Sequence, residues 1–172
     1  MITVILSLGA NLGEREETIR HAVAQLQPVA VSALYYTPPW GDTEQPDYVN
    51  ATAVVRRDGW GTAEWFAHTR ELEQQAGRVR DPQRRYGPRS LDIDLIAAWD
   101  GETAIFSDDP ELTLPHPRAQ QRAFVLQPWL EIQPDAELPG HGPLTELLQR
   151  PELDSDRAAI RRGPEVGPHH HD

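Results

Sequence analysis

Asp92-Ile93-Asp94 carries the plainest chemical signal in the sequence. It lies within Ser90 to Trp99, an apolar stretch that reads as a strand. Side chains alternate across a strand, so Leu91, Ile93 and Leu95 should face a core while Asp92 and Asp94 share the opposite surface, about 7 Å apart. Two carboxylates at that separation repel by on the order of a few kcal/mol at an effective dielectric near 20, and strands disfavour aspartate. A cation would compensate. Magnesium suits the pair, because it takes one or two carboxylates, keeps waters and completes its shell with phosphate oxygens. Just upstream, Arg78, Arg80, Arg84, Arg85 and Arg89 crowd into a dozen residues of an otherwise acidic chain. Guanidinium groups grip phosphate oxygens in pairs, so the junction of arginines and carboxylates points to phosphoryl or pyrophosphoryl transfer. The plain alternatives are an exposed strand face with two solvated acids and a solvated loop paired with surface acids.

All 16 basic residues are arginine. The chain therefore has no lysine for a Schiff base or for a glycine-rich loop ending in Gly-Lys-Ser/Thr. It also has no cysteine, which excludes disulfides, thiolate metal sites and a cysteine nucleophile. The formal net charge of −11 argues against binding to nucleic acid or to an anionic membrane. No apolar run approaches a membrane span, and the N-terminus lacks the pattern of a secretory signal. The expectation is a soluble, cytoplasmic protein, monomeric or weakly dimeric. Its 172 residues suit one domain over 1–150 followed by a polar, loosely ordered tail over 151–172.

The elements that must position these groups follow from hydrophobic spacing. Ile2 to Leu8 reads as a strand closed by Gly9-Ala10-Asn11-Leu12-Gly13, and Glu14 to Gln27 as an amphipathic helix ending near Pro28. Val29 to Tyr36 and Tyr48 to Arg57 are the next strands, separated by a proline-rich loop. Gly61 to Ala76 is a second helix stopped by Gly77. The strand holding the aspartates comes next, with Thr103 to Phe106 as a short hairpin partner. Phe124 to Ile132 is apolar and either helical or extended. The order β-α-β-β-α-β predicts an α+β, ferredoxin-like sandwich whose antiparallel sheet carries its helices on one face, with C-terminal additions.

Several separated motifs resemble one family. The run from Gly77-Arg78-Val79-Arg80 through Arg84-Arg85-Tyr86-Gly87-Pro88-Arg89-Ser90-Leu91-Asp92-Ile93-Asp94-Leu95 is similar to the signature of 6-hydroxymethyl-7,8-dihydropterin pyrophosphokinases. Gly9-Ala10-Asn11-Leu12-Gly13, Tyr36-Thr37-Pro38-Pro39, Gln45-Pro46-Asp47-Tyr48-Val49-Asn50, Leu114-Pro115-His116-Pro117-Arg118 and Arg122-Ala123-Phe124-Val125-Leu126 agree in order and spacing. The resemblance implies transfer of the β,γ-diphosphate of ATP to the pterin hydroxymethyl oxygen in folate biosynthesis, releasing AMP. It implies two magnesium ions on Asp92 and Asp94. Arg80, Arg89 and Arg122 would be catalytic with Asp94, and Glu73, Arg84, Leu95 and His116 would join those arginines in binding ATP. Gly9, Thr37, Pro38, Trp40, Tyr48, Asn50, Asp92 and Phe124 would form the pterin site. Ala10 stands where the family often has serine and Tyr86 where it has tryptophan. The segment between Arg80 and Tyr86 is one residue longer than in some members, so Arg84 and Arg85 compete for one role.

Without the family, His116 is an exposed turn histidine, and Tyr48 and Phe124 are ordinary core aromatics. Two competing functions remain. One is a kinase moving a single phosphoryl group to another small alcohol, and the other is a ferredoxin-like module that binds RNA.

Overall fold

A computed structural model describes residues 1–11, 13–38, 47–77 and 91–166. The first strand, β1 (Ile2–Ala10), is followed by α1 (Arg15–Leu26), whose buried residues Ile19, Ala22, Val23 and Leu26 lie at helical spacing. Pro28 cannot extend that helix. The chain leaves it at Gln27 in a left-handed conformation (φ 50°), with the Gln27 N–H donating to the Val23 carbonyl.

The second expected strand is broken in two, β2 (Ala30–Val31) and β3 (Ala33–Thr37). The break is at Ser32, which is fully buried. Its hydroxyl donates to the Ala33 carbonyl at 2.8 Å and accepts the Thr52 N–H at 3.0 Å, so a side chain takes part where ladder bonds would otherwise run. Strand β4 (Tyr48–Val55) and helix α2 (Thr62–Gly77) match their expected spans closely. Strand β5 (Asp92–Asp100) then runs beside β1, and the short β6 (Thr103–Ala104) pairs with its far end.

All of these pairings are antiparallel, in the order β3-β4-β1-β5-β6. With the chain order βαββαβ this is the ferredoxin-like arrangement, α+β in class. The strands β7 (Ser107–Asp109) and β8 (Leu112–Leu114) form a separate hairpin. Beyond it lies α3 (Ala123–Ile132), so the ambiguous apolar segment is a helix. A second small hairpin, β9 (Glu137–Leu138) with β10 (Gly142–Pro143), leads into α4 (Leu144–Leu148).

Helices cover both faces of the sheet, not one as expected. Val4, Leu6, Leu8, Leu91, Ile93 and Leu95 pack with Ile19, Leu26, Trp65 and Leu72 of α1 and α2. Ile5, Val54, Ile96 and Ala97 pack on the opposite face with Val125, Leu126 and Trp129 of α3 and with Leu144, Leu147 and Leu148 of α4. Full burial of such aliphatic side chains is worth about 1.5 to 3 kcal/mol each, so both layers hold the sheet. No helix among the described residues is long and apolar enough to cross a membrane.

The C-terminal segment, expected to be loosely ordered, is built into the fold as far as residue 166. It forms a 3-10 turn (Pro151–Leu153), α5 (Asp154–Ala159) and β11 (Arg161–Glu165), with Leu153 and Val166 buried. Strand β11 pairs antiparallel with β3 and becomes the edge of the sheet. Its attachment is polar. Glu131 of α3 accepts the Tyr35 hydroxyl and the Ala33 N–H from β3, and pairs with Arg162 of β11. Burial and then Glu131 push the Tyr35 hydroxyl up to about 12. Burial opposes ionisation of Glu131, but its hydrogen bonds to Tyr35, Arg162 and Ala33 outweigh it and hold the carboxyl below its ordinary 4.5. A carboxylate with a lowered pKa adds stability that is complete above 4.5 and is lost as pH falls through the lowered value. Glu131→Gln should therefore cost about 1 to 2 kcal/mol at neutral pH. Its loss of stability on acidification below pH 4.5 should be shallower than that of the parent, as read by melting curves across that range.

Candidate functional site

Three adjacent strands bring the chemistry to one surface. Gly9 of β1 stands between Asn50 of β4 and Asp92 of β5, and Ser7 stands between Thr52 and Asp94. These residues lie on the face opposite Leu8, Ile93 and Leu95, as strand alternation requires. Ser7, Gly9, Asn50, Asp92 and Asp94 floor a cleft of about 530 Å³ that Thr37 and Tyr48, and Arg118, Gln121, Arg122 and Phe124, also line. Gly9 is required here by close approach. A β-carbon at that position would sit 3.3 Å from Asn50 Oδ1 and press on the cleft floor.

Asn50 is 4% exposed and tightly held. Its amide donates to Thr37 Oγ1 at 3.0 Å and to the Tyr35 carbonyl at 3.4 Å. Both donors are thus committed within the protein, and Oδ1 is the atom left to read a ligand as an acceptor.

A β-bulge shapes the other half. Pairing passes from Ile5 with Ala97 to Leu6 with Leu95, leaving Ile96 as the extra residue of β5. The Ile96 carbonyl accepts the His116 N–H at 2.8 Å, which ties the His116 turn to the strand two residues beyond Asp94. The Arg118 N–H donates to His116 Nδ1 at 3.2 Å, leaving the ring proton on Nε2. Burial holds the imidazole below its ordinary value; Asp94 opposes this, and Arg122 and Arg118 reinforce it. His116 is therefore neutral at physiological pH.

Arg122 precedes α3, with Nη1 3.7 Å from Asp94 Oδ2 and its guanidinium carbon 5.6 Å from the centre of the Phe124 ring. One arginine thus links the carboxylate side of the cleft to its aromatic side. Glu73 is placed differently from the cleft residues. It lies on α2, where its carboxylate accepts the Ile93 N–H at 2.7 Å and pairs with Arg70 at 3.1 Å; Arg70 in turn donates to the Ile93 carbonyl. The peptide between the two aspartates is thereby held from behind. Burial raises the Glu73 pKa; the Ile93 N–H and Arg70 lower it, and Asp92 and Asp94 raise it further. The Leu95 side chain is 5% exposed and belongs to the core, so this residue can offer a nucleotide only its backbone.

The cleft thus gathers Gly9, Thr37, Tyr48, Asn50, Asp92, Asp94, Arg122 and Phe124. Pro38 is exposed next to Thr37. Trp40, Arg80, Arg84 and Arg89 lie outside the described residues. Ser7, Arg118 and Gln121 also line the cleft and had no expected role. Ser7 was accessible to the same alternation that found Asp94, being two residues before Gly9.

Among the described residues no group of three or more histidine, aspartate or glutamate side chains forms a cation cage. Two half-buried carboxylates on one surface fit magnesium that takes its remaining ligands from phosphate and water.

The profile of the 7,8-dihydro-6-hydroxymethylpterin-pyrophosphokinase family matches residues 5–134. The chain belongs to this family. It is an enzyme, a transferase of the pyrophosphokinase class. A 2-amino-4-hydroxy-6-hydroxymethyldihydropteridine pyrophosphokinase of Mycobacterium tuberculosis is 39% identical over 171 residues, covering 94% of this chain and 89% of that protein. The Mycobacterium leprae protein of the same name is 44% identical over 146 residues, covering 80% and 75%. Among solved structures, a Plasmodium falciparum HPPK-DHPS A437G crystal structure with STZ-DHP superposes with a TM-score of 0.67 at 11% identity, over 94% of this chain. The chain spans about half the length of that protein (48%). At that identity the superposition supports the fold alone.

Proposed function

We propose that the cleft transfers the β,γ-diphosphate of ATP to the hydroxymethyl oxygen of 6-hydroxymethyl-7,8-dihydropterin, giving AMP and the pterin diphosphate. The observation that carries this reading is the union, in one cleft of about 530 Å³, of an acidic strand face with an aromatic and amide slot. Tyr48 and Phe124 stack the flat ring. Asn50 Oδ1 accepts from the ring's N–H edge, while Gly9, Thr37, Pro38 and Trp40 complete the slot. Asp92 and Asp94 would hold two magnesium ions with the triphosphate. When bound, these supply Lewis-acid charge neutralisation on the phosphate oxygens.

The hydroxymethyl oxygen attacks the β-phosphorus and the bond from that phosphorus to the α,β-bridging oxygen breaks. AMP leaves with the electron pair, and the hydroxyl proton passes to Asp94 or to water. Arg122, with Arg80, Arg84 and Arg89, compensates the charge spread over the transferring group, which is the main work of a catalyst for this chemistry. His116, with its proton on Nε2, donates a hydrogen bond to a phosphate oxygen. Glu73 supports the metal carboxylates through Ile93, and Leu95 presents its backbone to the nucleotide. The enzyme so read is cytoplasmic, monomeric or weakly dimeric, and every residue given a role in it lies within 1–150, with the segment through β11 completing the sheet behind the slot.

Tyr48→Ala and Phe124→Ala test the slot. Each should weaken pterin binding by about 1 to 3 kcal/mol and leave MgATP affinity nearly unchanged, as measured by calorimetric titration of each ligand. Equal losses for pterin and ATP would mark the two rings as core aromatics and contradict the slot.

A further inference from the structure

The strand β11 lies beyond residues 5–134 that match the family profile, yet it is bound to the side of the sheet that carries Thr37, Tyr48 and Asn50. We propose that β11 is a positioning element for the pterin half of the cleft, with Arg161 acting through Asp47 on the adjoining Tyr48. The inference rests on the pterin reading of that half.

Three observations converge on it. Arg161 Nη2 meets Asp47 Oδ2 at 2.8 Å, across 114 residues of sequence, while Arg15 of α1 donates to the carbonyl of the same Asp47. Both arginines also lie over the Tyr36 ring, 5.4 Å and 5.7 Å from its centre. The residue before Tyr48 is thus held from two sides. Second, Gly163 lets the β11 backbone lie against Tyr36. A β-carbon there would overlap the Tyr36 ring and stand 3.3 Å from the Leu34 carbonyl, so close docking of the strand depends on this glycine. Third, β11 pairs with the β3 residues that orient Asn50. Arg161 is opposite Tyr36 and Arg162 opposite Tyr35, whose carbonyl accepts the Asn50 amide. Without β11, β3 would be an edge strand, and edge strands fray and shift register more readily than flanked ones. The aspartates lie at the other side, on β5, two strands beyond β4. Loosening β11 should reach the slot before it reaches the phosphates.

The test uses the full-length protein with Arg161→Ala, Arg161→Lys and Gly163→Ala. Binding of 6-hydroxymethylpterin is titrated directly, and kcat, the KM for MgATP and the melting temperature are measured beside it. The Arg161–Asp47 pair is exposed, with side chains 66% and 37% accessible, so the expected effect is modest. Arg161→Ala and Gly163→Ala should weaken pterin binding by about two- to fivefold, Arg161→Lys by less, and the KM for MgATP and kcat should not move. Arg161→Ala leaves the backbone packing intact and keeps the test valid if Gly163→Ala does not fold. Unchanged pterin affinity in Arg161→Ala overturns the proposal. So does a parallel rise of the pterin and ATP constants with a lowered melting temperature, which would mark β11 as general support. Failure of the parent protein to bind the pterin would instead overturn the reading of the slot.

Discussion

Replacing Asp92 or Asp94 by asparagine should lower diphosphoryl transfer by about a thousandfold or more, with the fold as stable as before or slightly more so. Both carboxylates stand on the cleft surface of β5 and not in either core, so no packing is lost. Each raises the proton affinity of Glu73 behind the strand, which shows that the site concentrates negative charge. Removing one charge relieves that repulsion and, on the proposed reading, simultaneously removes an oxygen that would hold magnesium against the triphosphate. Turnover measured across magnesium concentrations, together with thermal melting, separates the two effects. Near-normal turnover of either variant at saturating magnesium would contradict the metal assignment.

Arg122→Ala should cost about 10²- to 10³-fold in kcat, with a smaller effect on pterin binding through the neighbouring Phe124. Arg122 is held 3.7 Å from Asp94 and over Phe124, so its charge is fixed between the groups that the proposed reading assigns to the phosphates and to the ring. A group fixed before reaction stabilises developing charge without reorganising. Arg122→Lys keeps the charge but loses the planar fork, and should recover only part of the rate. The check is steady-state kinetics with both substrates varied. A defect confined to the pterin KM, with kcat intact, would place Arg122 in the slot and not on the phosphates.

Much of this arrangement was legible in the residues. Alternation alone put Asp92 and Asp94 opposite Ile93, and the blocks of apolar periodicity yielded the βαββαβ order. The bulge at Ile96 left no such mark, because Leu95-Ile96-Ala97-Ala98 is apolar throughout and a doubled residue in it breaks no pattern. The second helical layer was hidden for a related reason. Phe124 to Ile132 is short and mostly apolar, and Pro128 inside it weakens the helical signal that Gln127 and Glu131 carry at i,i+4 spacing. Strand β11 is the clearest case of tertiary context prevailing over local pattern. Arg161-Arg162-Gly163-Pro164-Glu165 has no strand-like alternation, and its conformation comes from pairing with β3 and from ion pairs to Asp47 and Glu131. The commitment of the Asn50 donors to Thr37 and Tyr35 was likewise invisible, since it depends on partners 13 and 15 residues away.

The position of bond cleavage in ATP tests the central claim most directly. The enzyme should be incubated with magnesium, 6-hydroxymethyl-7,8-dihydropterin and ATP carrying a radioactive β-phosphorus, and the products separated. Diphosphoryl transfer predicts that the label moves into the pterin product while unlabelled AMP appears in equal amount. Label retained in ADP would show transfer of a single phosphoryl group and contradict the account.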